Sequence, residues 1–236
     1  MNVIARHICD IGKFSSDPEK SYTLPSHYYI DPEIYAREKE AIFFKSWNYA
    51  CHVSQVAEPG AFATCMVTDQ GIAVVRGHDG VLRAFYNVCS HRAHELLKGC
   101  GKVNIMTCPY HAWTYHMDGR LRSAIGQKKV EGFAQEEFGL KPVRLEEHGG
   151  FVFVNLDMDA GPLADATGSL LGDISGFCGN VPELKFAHRL TYEIKANWKT
   201  VVENFLECYH CSVAHPAFVD LVDIENYRTK TYGIYS

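Results

Sequence analysis

Two short segments, Cys89-Ser90-His91 and Cys108-Pro109-Tyr110-His111, each present one cysteine and one histidine, and sixteen residues lie between them. This pattern constrains the fold strongly, because two loops that each offer one sulfur and one imidazole must be held side by side at one end of a rigid scaffold. A binuclear [2Fe-2S] unit with mixed ligation uses such a set: two thiolates hold one iron and two imidazoles hold the other. Zinc is the competing metal. A Cys2His2 zinc site groups its two cysteines and then its two histidines, whereas the order here is C-x-H and then C-x2-H. Neutral imidazole donates less charge than thiolate, so mixed ligation raises the reduction potential from about −400 mV to about −150 to +300 mV. Pro109, Gly101 and Gly119 supply turns around the two loops.

A second dense segment runs from Asn197 to Pro216. At helical period Val201, Phe205 and Cys208 share an apolar stripe, and Asn204, Glu207 and His210 recur every three residues on a neighbouring face. One helix carrying these groups inward is expected. His215 lies five residues beyond His210, and Pro216 disfavours helix at His215, so the chain must bend there. Two histidines near a helix end, joined by a carboxylate from elsewhere, suit a mononuclear iron with positions open for dioxygen and substrate. Asp220, Asp223 and Glu225 follow closely, but acidic residues after a helix are usually solvated. Cys208 and Cys211 form a C-x2-C of the kind used in redox or zinc chemistry, but flanking Tyr209 and His210 on one helix they read as small packing residues. With Cys9, Cys51, Cys65, Cys100 and Cys178 they are expected as free thiols in a reducing compartment. His94 and Cys100 lack paired spacing, and His116, His148 and His188 default to structural or surface roles.

Elsewhere the pattern predicts a helix over residues 31–46, with Pro32 in its first turn. Short strands follow, among them Phe62–Val67, Ile72–Arg76, Leu82–Val88 and Phe151–Asn155, punctuated by Asp79-Gly80 and Asp118-Gly119 turns. Residues 157–185 read as a linker rich in Gly, Asp, Ala and Pro, and Leu190–Lys195 alternates as a half-buried strand would. The implied organisation is an N-terminal segment 1–46, a metal-loop β domain 47–156 and a second part 157–236. A net charge of −5 without a basic stripe argues against nucleic acid. No apolar run approaches the ~18 residues needed to span a bilayer, and Met1–His7 lacks a signal peptide's apolar stretch. A cytoplasmic location is the default expectation.

Taken together, Thr23-Leu24-Pro25, the Trp47 region, C-S-H, C-P-Y-H-A-W and N-W-K-x3-E-N-F-x-E-C-Y-H-C-x3-H-P resemble the catalytic (α) subunits of Rieske non-haem iron oxygenases. The resemblance implies an α+β fold in which a small antiparallel β Rieske domain is inserted in the start of a helix-grip catalytic domain, incomplete here. It implies Cys89, His91, Cys108 and His111 as [2Fe-2S] ligands, His210 and His215 as ligands of a mononuclear Fe(II), and Glu207 as a carboxylate bridging one subunit's Rieske histidine to the next subunit's iron ligand. It also implies electrons from NAD(P)H through a separate flavin and iron–sulfur reductase, and a homo-oligomer, a trimer in many members. Glu207 stands where ring-hydroxylating members usually have aspartate, and the surrounding text looks more like the branch acting on betaines, carnitine and choline. An arene dioxygenase subunit and a bare Rieske electron carrier are the alternatives, and the carrier leaves the Glu207–His215 segment unexplained. Ala112 stands where many members have glycine. The family's third iron ligand lies far downstream of the histidine pair, so the ending Tyr232–Ser236 reads as that of a truncated α subunit.

Overall fold

The computed structural model describes residues 10–17, 19–224, 226, 227 and 229. Met1–His7, Cys9, Glu225 and Tyr232–Ser236 lie outside the described residues. Two compact units divide the chain: one joins the residues up to Lys39 to those from Arg189 onward, and the other runs from Glu40 to His188. The boundaries expected at 46 and 156 thus fall inside the second unit. Residues 157–188 stay with the β domain because Leu163 and Val181 are fully buried and the Leu163 N–H donates to Glu146 at 2.8 Å.

This second unit contains ten strands: β1 (Asn48–His52), β2 (Ala61–Val67), β3 (Gln70–Arg76), β4 (Leu82–Tyr86), β5 (Cys100–Lys102), β6 (Met106–Thr107), β7 (Thr114–Tyr115), β8 (Leu121–Ser123), β9 (Pro142–His148) and β10 (Phe151–Asn155). Seven form one sheet in the order β1-β10-β9-β4-β3-β2-β5, and β6-β7-β8 form another. Every pairing is antiparallel. The four strands expected from the sequence are present, with β4 stopping at Tyr86 just before the first metal loop.

Strand β3 shows how the core is built. Ile72 and Val74 enter one apolar cluster with Ala50, Val152 and Val154, while Ala73 and Val75 enter another with Phe85, Met106 and Tyr115. A sheet covered on both faces needs a continuous apolar run rather than alternation, which is the character of Ile72-Ala73-Val74-Val75. Cys89 and Cys108 belong to the second cluster, so both metal loops are rooted in the core shared by the large sheet and β6-β7-β8. Gly119, at φ +88, turns directly over the Phe85 ring, and any side chain there would strike it.

In the first unit, Asp31 caps the helix Pro32–Glu38 by accepting the Glu33 N–H at 2.8 Å. Regular helix ends at Glu38 and gives way to a π-helical turn, Lys39–Phe43, rather than continuing to residue 46. The helix Trp198–Phe205 is capped by Asn197, which accepts the Lys199 N–H at 3.1 Å. Its first turn is tied to the N-terminal segment. Lys199 pairs with Glu38 at 2.6 Å, and Trp198 Nε1 donates to the same carboxylate at 2.8 Å. Tyr29 donates to Glu203 at 2.7 Å, and burial, then that bond, push its phenol up to about 12.

The strand expected at Leu190–Lys195 is not formed. Leu190, Tyr192 and Ile194 are exposed. Local alternation cannot make a strand unless a neighbour supplies the other half of its hydrogen bonds, and among the described residues none does. No helix among the described residues is long and apolar enough to cross a membrane.

Candidate metal centres

Both cluster loops share one backbone design. The Cys89 N–H donates to the His94 carbonyl at 2.9 Å and the Ala93 N–H returns to the Cys89 carbonyl at 3.0 Å. Likewise, the Cys108 N–H donates to the Trp113 carbonyl at 2.8 Å and the Ala112 N–H returns to the Cys108 carbonyl at 3.0 Å. Each loop is closed by a left-handed alanine, Ala93 and Ala112, both at φ +54. For a residue with a Cβ that region costs about 1–2 kcal/mol, which gives the glycine common at the second position its physical reason. Ala112→Gly is expected to stabilise the chain by about 1 kcal/mol, measured as a higher denaturation midpoint at unchanged slope. A lower midpoint would show that the alanine is unstrained.

The donor atoms are arranged in two pairs. Cys89 and Cys108 are buried beside each other. His91 is exposed and His111 half-buried, with ring centroids 4.7 Å apart. His111 Nδ1 is buried with no hydrogen-bond partner among the described residues. A buried ring nitrogen left unpaired is costly, and an iron would take its lone pair. Among the described residues no three His, Cys, Asp or Glu side chains converge on one ion. Tetrahedral zinc needs all four donors on a single ion. A [2Fe-2S] unit asks for two protein donors on each iron, and thiols paired inside with imidazoles paired at the rim fit it.

Electrostatics agree with that division. Desolvation lowers the His91 pKa first, and His111 and Arg92 add to it, so the ring is kept in the neutral form that ligates metals. Burial pushes the Cys89 thiol up and Cys108 adds to the effect. The charge of a bound metal reverses this, since a coordinating thiol is deprotonated outright. Trp113 stacks on His91 at 4.7 Å and 7°, while Tyr110 lies 3.8 Å from His111 between centroids. These aromatics hold the imidazole pair at the edge of an open cavity of about 660 Å³.

Tyr115 is a candidate site residue that the sequence reading does not single out. Its hydroxyl lies 3.1 Å from Cys89 Sγ and accepts the Ser90 N–H at 3.0 Å, which leaves the phenolic proton for the sulfur. Burial, then Cys89, raise its pKa, so the phenol stays protonated. The available signal is its place on β7, one residue past Thr114, where alternation turns it into the core. Hydrogen bonds to cluster sulfurs tune reduction potential. Tyr115→Phe is therefore expected to lower the potential by on the order of 50 mV, about 1 kcal/mol for one electron, by protein-film voltammetry. An unchanged potential would remove the hydroxyl from this role.

The second centre differs from its sequence expectation in secondary structure. The ligand helix ends at Phe205, so Glu207 and His210 sit in the following turn rather than on one helical face, and Val201 and Phe205 are exposed instead of forming a buried stripe. The Glu207 carboxylate accepts the Tyr209 N–H and thereby competes with helical bonding. The expected cluster forms all the same. Glu207 Oε1 meets His210 Nδ1, and Asn204 Nδ2 lies 3.2 Å from His210 Nδ1 and 3.3 Å from Nε2. Hydrogen bonding from His210 holds the Glu207 carboxyl below its ordinary range, and the Tyr209 N–H lowers it further. A carboxylate accepting from Nδ1 leaves Nε2 as the metal-facing nitrogen.

The bend that Pro216 demands is present: His215 sits between two short helices at φ −131, ψ 60. Its ring lies 5.1 Å from that of His210. Both rings line a cavity of about 930 Å³ together with Glu207. Two imidazoles converging on a cavity are a suitable donor set for a non-haem iron, which needs a carboxylate as third ligand. Among the described residues no such carboxylate joins them, and Asp223 is bonded to Asn226 at 2.7 Å.

Cys208 and Cys211 are not the free packing thiols expected. They form a disulfide, whereas Cys89, Cys100, Cys108 and Cys178 are free thiols. Because the helix stops at Phe205, the turn through Tyr209 and His210 folds Cys208 back toward Cys211, with Cα atoms 5.0 Å apart, a span a disulfide bridges.

Comparison with known proteins finds a family match for each of the two segments. Residues 46–134 match the Rieske [2Fe-2S] domain and residues 181–234 match the ring hydroxylating alpha subunit catalytic domain. The chain is 43% identical over 220 residues to the carnitine monooxygenase oxygenase subunit of Acinetobacter baumannii, covering 93% of this chain and 59% of that one. It is 35% identical over 218 residues to chloroplastic choline monooxygenase of Beta vulgaris, covering 90% and 49% respectively. Among solved structures, a quaternary ammonium Rieske monooxygenase in complex with L-carnitine superposes with a TM-score of 0.88 at 43% identity, over 94% of this chain and 63% of that one. Naphthalene 1,2-dioxygenase from Rhodococcus superposes at 0.74 with 27% identity, over 84% and 47%. The chain thus spans about three-fifths of the carnitine relatives it matches. With a Rieske domain followed by ring-hydroxylating α-subunit sequence, it belongs to the family of Rieske oxygenase α subunits.

Proposed function

We propose that this chain is the oxygenase component of a quaternary ammonium monooxygenase, receiving electrons at a [2Fe-2S] cluster and using them at a non-haem iron to hydroxylate or N-demethylate its substrate. Cys89, Cys108, His91 and His111 would hold the cluster. His210 and His215 would hold the iron, with a carboxylate that the described residues do not supply. Once bound, the two groups provide one-electron transfer and a site for dioxygen. Glu207 orients His210 through its Nδ1 and serves as the bridge to the Rieske histidine of a neighbouring copy. Electrons come from NAD(P)H through a flavin and iron–sulfur reductase, and the working assembly is a trimer.

The observation that carries this reading is the Glu207–His210 contact beside His215 in one cavity. Glutamate rather than aspartate at this position, together with relatives named for carnitine, choline and glycine betaine, favours a quaternary ammonium substrate over an arene. The test supplies the full-length polypeptide and its reductase with carnitine, choline, glycine betaine or naphthalene, and measures dioxygen uptake and product. Dioxygen-dependent oxidation of one of the three ammonium compounds is expected. Formation of a naphthalene dihydrodiol instead would overturn the substrate class.

A further inference from the structure

The Cys208–Cys211 disulfide closes a loop of only two intervening residues. Short loops remove little chain entropy from the unfolded state, and both cysteines belong to one segment, so the bond fastens no distant elements together. Its placement is more informative than its stabilisation. The two residues it encloses are Tyr209 and His210, and Glu207 grips both, one oxygen accepting the Tyr209 N–H and the other meeting His210 Nδ1. Cys208 and Cys211 line the same cavity as Glu207, His210 and His215. Cys211 is buried and Cys208 half-exposed, so the accessible sulfur in an exchange reaction is that of Cys208.

We propose that Cys208 and Cys211 form a reversible dithiol–disulfide redox site, and that its state sets the geometry of the Glu207–His210 pair. The co-reactant is a low-molecular-weight disulfide such as glutathione disulfide. The Cys208 thiolate attacks it, giving a mixed disulfide and one glutathione thiolate. Cys211 then displaces the second glutathione, so one S–S bond breaks and one forms, two electrons pass to glutathione, and the two cysteine protons end on the two glutathione thiols. Reduction by excess thiol reverses both steps and releases the turn that presents His210. The redox site stands on the cysteine pair alone, while its effect on metal binding rests on the reading of His210 and His215 as iron ligands.

The test equilibrates the purified chain with glutathione buffers of graded thiol-to-disulfide ratio, quenches it with acid, alkylates it and measures the tryptic peptide Thr200–Arg228, whose only cysteines are Cys208 and Cys211. Both are expected to pass together from alkylated to protected as the buffer becomes oxidising, and to return with dithiothreitol. In Cys208→Ser, Cys211 should not form the intrachain disulfide at any ratio. Two cysteines that stay alkylated throughout, or stay protected in the most reducing buffer, would overturn the redox site.

Co(II) binding to the oxidised chain is then compared with binding to the Cys208→Ser, Cys211→Ser double variant, which has no thiolates there to capture the probe. The intact Rieske absorption serves as the folding control. A difference in affinity of about 10-fold or more is expected, the size seen when the group orienting a metal-bound histidine is disturbed. Equal affinity would overturn the coupling to Glu207 and His210. Absence of Co(II) binding in both, with the thiol transition intact, would support the redox site and overturn the iron-ligand reading instead.

Discussion

Cys108→Ser is expected to abolish the iron–sulfur cluster and to destabilise the β domain by at least about 4 kcal/mol, since loss of a structural metal site is among the few single changes with effects of that size. Cys108 is 2% exposed and shares its apolar cluster with Met106, Trp113 and Tyr115, so losing the cluster leaves a cavity and an unfilled hydroxyl in the centre of the fold. Iron and acid-labile sulfide analysis, the electron paramagnetic resonance spectrum of the dithionite-reduced protein and the thermal midpoint read this together. Cys100→Ser is the matched control. That residue is exposed on the edge strand β5, and its substitution should leave iron content unchanged and stability within about 0.5 kcal/mol. Full cluster content in Cys108→Ser would remove this residue from the ligand set.

Glu207→Gln is expected to lower turnover of the full-length enzyme by about 10- to 100-fold while leaving the reduced-cluster spectrum as it is. Groups that orient a metal-bound histidine typically contribute that much. The His210 hydrogen bond keeps the Glu207 carboxyl ionised well below neutral pH, so the substitution removes a charge that polarises the imidazole. It also replaces one acceptor oxygen with a donor nitrogen. Glu207→Asp retains the charge one methylene further from His210, and its turnover should fall between those of the wild type and the glutamine variant. Wild-type turnover in Glu207→Gln would rule out a role for the carboxylate in either orientation or electron transfer.

Much of the scaffold is legible in the sequence because the informative contacts are local. The strands around β2, β3 and β10, the Asp118-Gly119 turn, the helix start at Pro32 and the bend before Pro216 each follow from backbone preferences of a few adjacent residues. The pairing of the two Cys/His loops was legible for a different reason, namely that a binuclear cluster requires a specific count and alternation of donors.

What failed did so where an answer depends on a remote partner. Leu190–Lys195 has the alternation of a strand but no strand beside it among the described residues. The ligand helix reads as continuous by periodicity, yet it ends at Phe205, since Val201 and Phe205 bury little surface that would favour another turn and Glu207 offers the backbone a competing acceptor. Residues 157–185 look like a linker by composition, but Leu163 and Val181 are buried in the same unit as the β domain.

By itself the sequence determined the chemistry on offer: which donors exist, how they are spaced, and that Glu207 accompanies His210. Tertiary structure alone decided which atoms face one another. It turned the Tyr115 hydroxyl onto Cys89 Sγ, left His111 Nδ1 buried without a partner among the described residues, put Ala93 and Ala112 in matching left-handed turns and joined Cys208 to Cys211. Each of these depends on distances of a few ångströms between groups whose positions are set by packing of the whole core, and residue spacing along a chain does not encode such distances.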